Sequence, residues 1–242
     1  MNAGPPWKSK DKHETESLAA VPCLVDHDGD GDLDLYIGNI SGRVIHIENK
    51  GTAKKFSFDA STRTTVMAAG QPVKVEGDAG PLAADWDGDG RIDLLVGSGD
   101  GSVWWYRNEG KKGGPAYAAG VTLLPKSGLD WEKPVEHGGA PTGPGVRAKV
   151  GVADWNGDGR LDLLVGDFWQ EKAAAKPLTD SQKARLAELK KRLRELESSS
   201  AADPKDEMTK VYEEIETLEP NPTMRGSVWL YLRQNGKPTA AK

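Results

Sequence analysis

The sequence predicts an all-β fold, a β-propeller of four-stranded antiparallel blades that carries an inserted antiparallel α-helical hairpin. Three observations predict it: a unit of similar sequence occurs three times, each unit contains one loop rich in aspartate and glycine, and short runs of Val, Ile, Trp and Tyr flank that loop. Such runs between turn residues are typical of strands. A β-sandwich also has many short strands, but one aspartate loop for every four strands favours propeller blades.

The three units align without gaps around their loops, whose first aspartates are Asp26, Asp85 and Asp154. A first strand is predicted before each loop and a second directly after it; the first strands are at 22–25, 81–84 and 148–153. A third strand is predicted within each of the segments 42–49, 101–108 and 226–233. A fourth is predicted in two units, at 55–60 and 116–124. Because three units leave unpaired edges, the sequence predicts an incomplete ring.

The third unit is interrupted by an insertion. Its third-strand segment begins 72 residues after the first loop aspartate, against 16 in the other two units. Within the insertion, Thr179 or Asp180 caps a predicted helix that runs to about Glu197, and Asp203-Pro204 starts a second that ends at Pro220. The first helix has a net charge of +3 over 183–197 and the second −4 over 204–219, which favours an antiparallel pair. We expect this hairpin to pack on the propeller or on a partner.

The domain organisation follows from these segments. We expect a polar N-terminal segment, propeller blades in two stretches, the inserted hairpin between them and a short tail, at 1–17, at 18–174 with 223–236, at 175–222 and at 237–242.

The loops follow the nine-residue pattern Asp-x-Asp/Asn-Gly-Asp-Gly-x-x-Asp, which predicts metal sites. Side-chain oxygens at positions 1, 3 and 5 can surround one cation, position 7 can add its backbone carbonyl, and position 9 can complete the cage. The candidate ligands are Asp26, Asp28, Asp30, Asp32 and Asp34 in the first loop, Asp85, Asp87, Asp89, Arg91 and Asp93 in the second, and Asp154, Asn156, Asp158, Arg160 and Asp162 in the third.

Electrostatic repulsion distinguishes this interpretation from an ordinary turn. Two carboxylates about 5 Å apart repel by roughly 3 kcal/mol at an effective dielectric constant of about 20, and a cation removes that cost. Calcium is favoured over magnesium because flexible loops of oxygen donors suit it. We expect up to three Ca²⁺ ions, with the third site weaker because Asn156 replaces a carboxylate. The loops are not EF-hands, since position 12 is Ile37, Val96 or Val165 rather than glutamate.

Composition excludes several other classes of protein. The net charge of −5 argues against nucleic-acid binding, and the apolar runs are too short for a membrane span. A single cysteine, Cys23, excludes an internal disulfide. The sequence lacks hydrolase and zinc-protease motifs, so we expect no enzymatic activity. Trp86 and Trp155, at position 2 of their loops, are expected to point away from the ion and to be candidates for exposure.

The loop and the strand after it, Asp-Trp-Asp-Gly-Asp-Gly-Arg-x-Asp-Leu-Leu-Val-Gly at 85–97, resemble the FG-GAP/VCBS-repeat β-propellers, which are related to the integrin α-chain head. The resemblance covers about 20–166 and 226–236. It implies that the loop joins the first two strands of a blade, that the aspartates at positions 1, 3, 5 and 9 bind Ca²⁺, and that the protein is extracellular or periplasmic. The N-terminal residues show no signal peptide.

The resemblance implies a binding module, and three functions stay open. The first is a calcium-stabilised propeller that binds a protein ligand, the second a lectin-like binder of carbohydrate through exposed tryptophans, and the third an accessory domain of a larger exported enzyme. The incomplete ring has two interpretations: the chain is a fragment of a longer propeller, or two chains associate as a homodimer.

Overall fold

The computed structural model describes residues 19–111, 114–130, 133–198 and 205–234. The N-terminal segment predicted at 1–17, the helix start predicted at Asp203-Pro204 and the tail predicted at 237–242 lie outside these residues.

The first blade is a four-stranded antiparallel sheet in chain order. Its strands are β1 (Val21–Val25), β2 (Asp34–Gly38), β3 (Val44–Ile47) and β4 (Thr64–Thr65). The fourth strand was predicted at 55–60, and that prediction is wrong. The Asn49 Oδ1 atom accepts the backbone N–H groups of Gly51 and Ser57, and the Lys50 N–H donates to the Ser57 carbonyl at 3.0 Å. These bonds fold 55–58 back onto 50–52, so the chain pairs with β3 only at Thr64–Thr65.

A two-stranded ribbon of β5 (Met67–Ala68) and β6 (Gln71–Pro72) leads to the second blade. That blade consists of β7 (Gly80–Ala84), β8 (Asp93–Gly97), β9 (Val103–Tyr106) and β10 (Val121–Leu124), again antiparallel and in chain order. The fourth strand occupies only the last part of the predicted 116–124. Residues 116 and 118 instead form backbone hydrogen bonds with Glu109 and Arg107, at 2.9 and 2.8 Å.

The third blade has three strands among the described residues: β11 (Val146–Ala153), β12 (Asp162–Glu171) and β13 (Thr223–Tyr231). Two helices, α1 (Asp180–Ser198) and α2 (Lys205–Leu218), lie between β12 and β13 in the chain. The predicted all-β fold with an inserted helical hairpin is therefore confirmed.

The blades pack face to face because side chains alternate between the two faces of each strand. On β8, Leu94 and Val96 belong to the apolar cluster with the first blade, whereas Leu95 belongs to the cluster with the third. All three side chains are fully buried. The middle blade is thus apolar on both faces, which is the pattern of a sheet covered on both sides.

The chain forms two compact units. The first contains most of the three blades. The second comprises the described residues of 130–141 and 169–225, which include the end of β12 and the start of β13. Within the second unit, Leu189, Leu196 and Val211 form the apolar seam of the hairpin. Arg185 and Arg192 on α1 pair with Glu214 and Glu207 on α2, each at 2.7 Å, as the opposite charges predicted. Among the described residues, no helix is long and apolar enough to cross a membrane.

Candidate metal-binding loops

Each aspartate loop connects the first and second strands of its blade, so Asp26 follows β1 and Asp34 begins β2. The turn depends on the glycines at positions 4 and 6, which have a positive φ in all three loops. The φ values are 78° and 94° at Gly29 and Gly31, 78° and 85° at Gly88 and Gly90, and 73° and 83° at Gly157 and Gly159. Residues with a side chain rarely adopt these angles, which explains why the pattern requires glycine there.

The carboxylate at position 1 organises the loop by accepting backbone N–H groups. In the first loop, Asp26 accepts the N–H of Gly29 at 2.8 Å and that of Gly31 at 3.2 Å. Asp85 accepts the N–H groups of Gly88 and Gly90, each at 2.9 Å. The loop therefore has its turned shape through its own hydrogen bonds, and the acidic side chains are held in place by the backbone.

Positions 1, 3 and 5 converge in the first two loops. One carboxylate oxygen from each of Asp26, Asp28 and Asp30 lies within 4.8 Å of the others, and the same holds for Asp85, Asp87 and Asp89. Calcium binds oxygen at about 2.3–2.6 Å, so oxygens on opposite sides of one ion are separated by about 4.6–5.2 Å. The three donors of each loop therefore fit a single ion of this size.

The carboxylate at position 9 is buried in the blade. Asp34, Asp93 and Asp162 are at most 2% exposed. Asp34 accepts the His27 N–H at 2.9 Å and the Asn49 N–H at 2.7 Å, and Asp162 likewise accepts those of Trp155 and Arg233. This carboxylate therefore ties the loop to the end of the third strand. Burial raises the pKa of Asp93, although the Asn108 N–H opposes the shift.

Position 7 differs between the loops in its side chain. In the first loop, burial and the neighbouring carboxylates of Asp30, Asp34 and Asp28 raise the pKa of Asp32. In the second loop the residue is Arg91, whose guanidinium pairs with Asp89.

Arg107, directly after β9, brings a second guanidinium to the second loop. It pairs with Asp87 at 2.5 Å and with Asp89 at 2.9 Å. Burial alone would raise the pKa of Asp89, but the Arg91 N–H and the two guanidiniums hold it below its usual range. Sequence reasoning missed Arg107, and the available signal was that it follows Asp85 by 22 residues, as Glu48 follows Asp26 in the first unit.

The third loop has the same backbone and a different donor set. Asp154 accepts the N–H groups of Asp158 and Gly159, at 3.0 and 2.9 Å. The Asn156 amide nitrogen donates to Asp158 at 3.1 Å, and the Arg160 guanidinium pairs with the same carboxylate at 2.6 Å. In the third loop, the position-5 carboxylate therefore has an amide and a guanidinium as partners. In the first loop, the carboxylate at the same position faces two other carboxylates.

The tryptophans at position 2 have opposite environments. Trp155 is 63% exposed, as expected, but Trp86 is only 7% exposed, and the expectation for it is wrong. The Arg233 guanidinium, from the third blade, stacks over the Trp86 ring at 4.8 Å and donates to the Trp86 carbonyl. Position 2 of the first loop is His27, which stacks on His46 with ring centroids 3.9 Å apart. Burial and the neighbouring His27 lower the pKa of His46 to about 4.

Part of the chain matches a known family. Residues 85–165, which include the second and third aspartate loops, match the model of the family described as FG-GAP-like repeat. Comparisons with curated proteins and with solved structures found no match.

Proposed function

Residues 85–165 belong to the FG-GAP-like repeat family, and from this premise we propose that the chain is a non-enzymatic, calcium-binding β-propeller module that binds a protein ligand. Calcium has a structural role in this proposal, in that it fixes the aspartate loops at the ends of the blades. An extracellular or periplasmic location is part of the proposal, because calcium there reaches the concentrations that weak oxygen sites need.

The observation that carries the proposal is the convergence of three carboxylates in the first loop. Their donor oxygens lie within 4.8 Å of one another, and each of the three aspartates also accepts a backbone N–H of the loop. The donors are all oxygens, which suits a hard cation such as Ca²⁺. Burial and, after it, the surrounding carboxylates raise the pKa of Asp32, and a cation in the loop would offset the part that the carboxylates contribute.

The proposed ligands are the residues of the sequence pattern. Asp26, Asp28 and Asp30 in the first loop and Asp85, Asp87 and Asp89 in the second would supply carboxylates, and Asp154, Asn156 and Asp158 would form a weaker third site. In this proposal the residues at position 7 contribute backbone carbonyls. Position 9 contributes a carboxylate that also accepts backbone N–H groups.

Thermal unfolding with calcium and with chelator tests the proposal. A ligand that binds only the folded chain adds about 2.7 kcal/mol per site at a concentration about 100 times its Kd. For a chain of this length that corresponds to a rise of roughly 5–10 °C in Tm for one site. Kd values of about 10⁻⁴–10⁻³ M are typical of extracellular modules. Calcium at about 10 mM should therefore give this rise for a site at the tighter end of that range, and about half of it for a site at the weaker end.

Single substitutions locate the effect. Asp28→Ala should remove the part of the calcium-dependent rise that belongs to the first loop. Glu213→Ala, which removes an exposed charge from α2, should leave the whole rise in place. Equal Tm values in calcium and chelator for the unsubstituted chain would contradict a structural role for calcium.

Carbohydrate binding is the second candidate, and the exposure of Trp155 favours it. An exposed indole ring offers a flat apolar face on which a sugar ring can stack. Binding of the chain to a glycan array that Trp155→Ala abolishes, while the Tm stays unchanged, would support this function over the protein-binding one.

A further inference from the structure

The two contacts between neighbouring blades are built from equivalent residues. At the end of β2, a Cβ on Gly38 would overlap the Ala79 carbonyl of the second blade, and at the end of β8 a Cβ on Gly97 would overlap the Ala148 carbonyl of the third. Each contact therefore requires a glycine on one blade and brings an alanine of the following blade against it. Ala79 and Ala148 are both completely buried there.

The third blade has a glycine at the equivalent position, but that glycine makes no such contact with another blade. Gly166 on β12 aligns with Gly38 and Gly97, yet the nearest atom to a Cβ at Gly166 is the Lys149 carbonyl oxygen of its own blade, 3.8 Å away. Its φ is not positive, so neither space nor backbone conformation requires glycine within the chain. The residue is explained if the backbone of a following blade lies against it.

The side chains on the same face of the third blade are apolar and open. Val228 and Leu230 align with Val103 and Trp105, which the second blade packs against the third. Val228 is 72% exposed and Leu230 38%. Trp155 shows the same difference, because its equivalent Trp86 is covered by Arg233 of the following blade. We define the outward face of the third blade as Trp155, Leu164, Gly166, Val228 and Leu230.

The first blade has the matching half of the contact. Ala20 aligns with the buried Ala79 and Ala148, but it is exposed. The preceding residue, Ala19, has a φ of 53°, close to the 49° of Asp78 and the 55° of Arg147 at the two existing contacts. A positive φ is costly for a residue with a side chain. The first blade thus has the backbone conformation that the other two use to meet a preceding blade.

Apolar side chains surround Ala20 on this face. Leu24, Leu35 and Ile37 align with Ala83, Leu94 and Val96, which the second blade packs against the first. Leu24 is 56% exposed. Ile45 and Ile47 share the face and are already buried, so its open part lies along β1 and β2. We define the outward face of the first blade as Ala20, Leu24, Leu35 and Ile37.

We propose that the outward face of the third blade docks onto the outward face of the first blade in a second copy of this chain. The second copy is the occupant because the chain itself carries both halves of a contact that it already forms twice internally. The contact joins unlike faces, so copies associate head to tail, either as a closed ring or as an open chain. The proposal is independent of calcium binding in the loops.

Light scattering on the purified chain in calcium, with column separation over a dilution series, tests the proposal. The unsubstituted chain should have a mass of at least two copies. Gly166→Val should reduce it to one copy that still unfolds cooperatively and keeps its calcium-dependent rise in Tm, because within one chain the added side chain meets only an ordinary contact with the Lys149 carbonyl oxygen. Ala20→Glu should do the same from the other face. Gly128→Val, at a glycine that also has open space around its Cβ, is the matched control and should keep the larger mass.

Mixing the two single-copy variants provides the decisive measurement. The Ala20→Glu chain retains an intact third-blade face, and the Gly166→Val chain retains an intact first-blade face, so the mixture should form pairs joined by one intact contact. Trp155 should also become several-fold less reactive towards oxidation in the assembled chain, with the buried Trp86 as the internal reference. A single-copy mass for the unsubstituted chain, or a larger mass that neither variant changes, would overturn the proposal. The first of these results would leave the calcium-dependent Tm interpretable.

Discussion

The first and second aspartate loops have the same backbone and opposite electrostatics. Both place three carboxylates within 4.8 Å on a turn with two glycines of positive φ. In the second loop, Arg91 and Arg107 pair with the acids. In the first, the equivalent residues are Asp32 and Glu48. One loop thus carries its own compensating charge, whereas the other adds to the negative charge.

The pKa shifts in the two loops agree with this difference in charge. Burial and neighbouring carboxylates raise the pKa of Asp32 in the first loop, whereas in the second the two arginines outweigh burial and lower that of Asp89. A cation entering the first loop relieves repulsion. In the second loop it has to compete with guanidinium groups for the same oxygens. The comparison therefore teaches that an identical ligand pattern does not imply equal affinity, and we expect the first loop to bind calcium most tightly.

Asp32→Arg gives the first loop the position-7 residue of the second and should have the largest effect. The substitution changes the local charge by two units, and at about 4 Å in water each unit changes the Coulomb energy enough to weaken binding several-fold. We expect calcium affinity at the tightest site to fall roughly tenfold or more, as measured by calorimetric titration of the chelator-treated chain.

Asp32→Asn is the control for this prediction, since it changes the charge by only one unit and should have an intermediate effect. If the tightest site kept its affinity in both variants, the first loop would not be that site, and the ranking of the loops would be wrong.

Arg107→Gln makes the converse change in the second loop. Removing the guanidinium frees Asp87 and lessens the competition at Asp89, so the calcium affinity of this loop should rise roughly twofold to fivefold, the range typical of exposed ion pairs. Without calcium the variant should unfold at a lower temperature, because two acids lose a partner. Calorimetric titration and thermal melting in chelator measure the two effects.

Arg194→Gln, on the exposed surface of α1, removes the same charge far along the chain from the loops and should change neither quantity. An Arg107→Gln chain with unaltered calcium binding would show that the guanidinium does not compete with the ion.

The features that could be predicted from sequence are those determined by neighbouring residues. The strands beside the loops follow from short apolar runs, and α1 and α2 follow from apolar residues at helical spacing, with Thr179 or Asp180 as the cap of α1. Contacts between distant residues were not predictable. The Asn49 side chain turns the following segment back and displaces the fourth strand, and Arg233 buries Trp86 from the next blade. In the candidate site, the backbone of the loops was predictable from the positions of the glycines. The charge compensation by Arg107 was not, because it depends on the strand register that brings the end of β9 beside the second loop.

Asn156→Asp tests the weakest member of the comparison and should have the smallest effect. The substitution gives the third loop the full set of carboxylates, but Arg160 still pairs with Asp158, so the calcium-dependent rise in Tm should increase only slightly. In chelator the Tm should fall, because a carboxylate replaces the amide that donates to Asp158. Asn156→Ala removes the oxygen altogether and should reduce the response to calcium. If Asn156→Asp and Asn156→Ala responded alike, position 3 would not contribute a ligand in this loop, and the weaker binding expected there would need another cause.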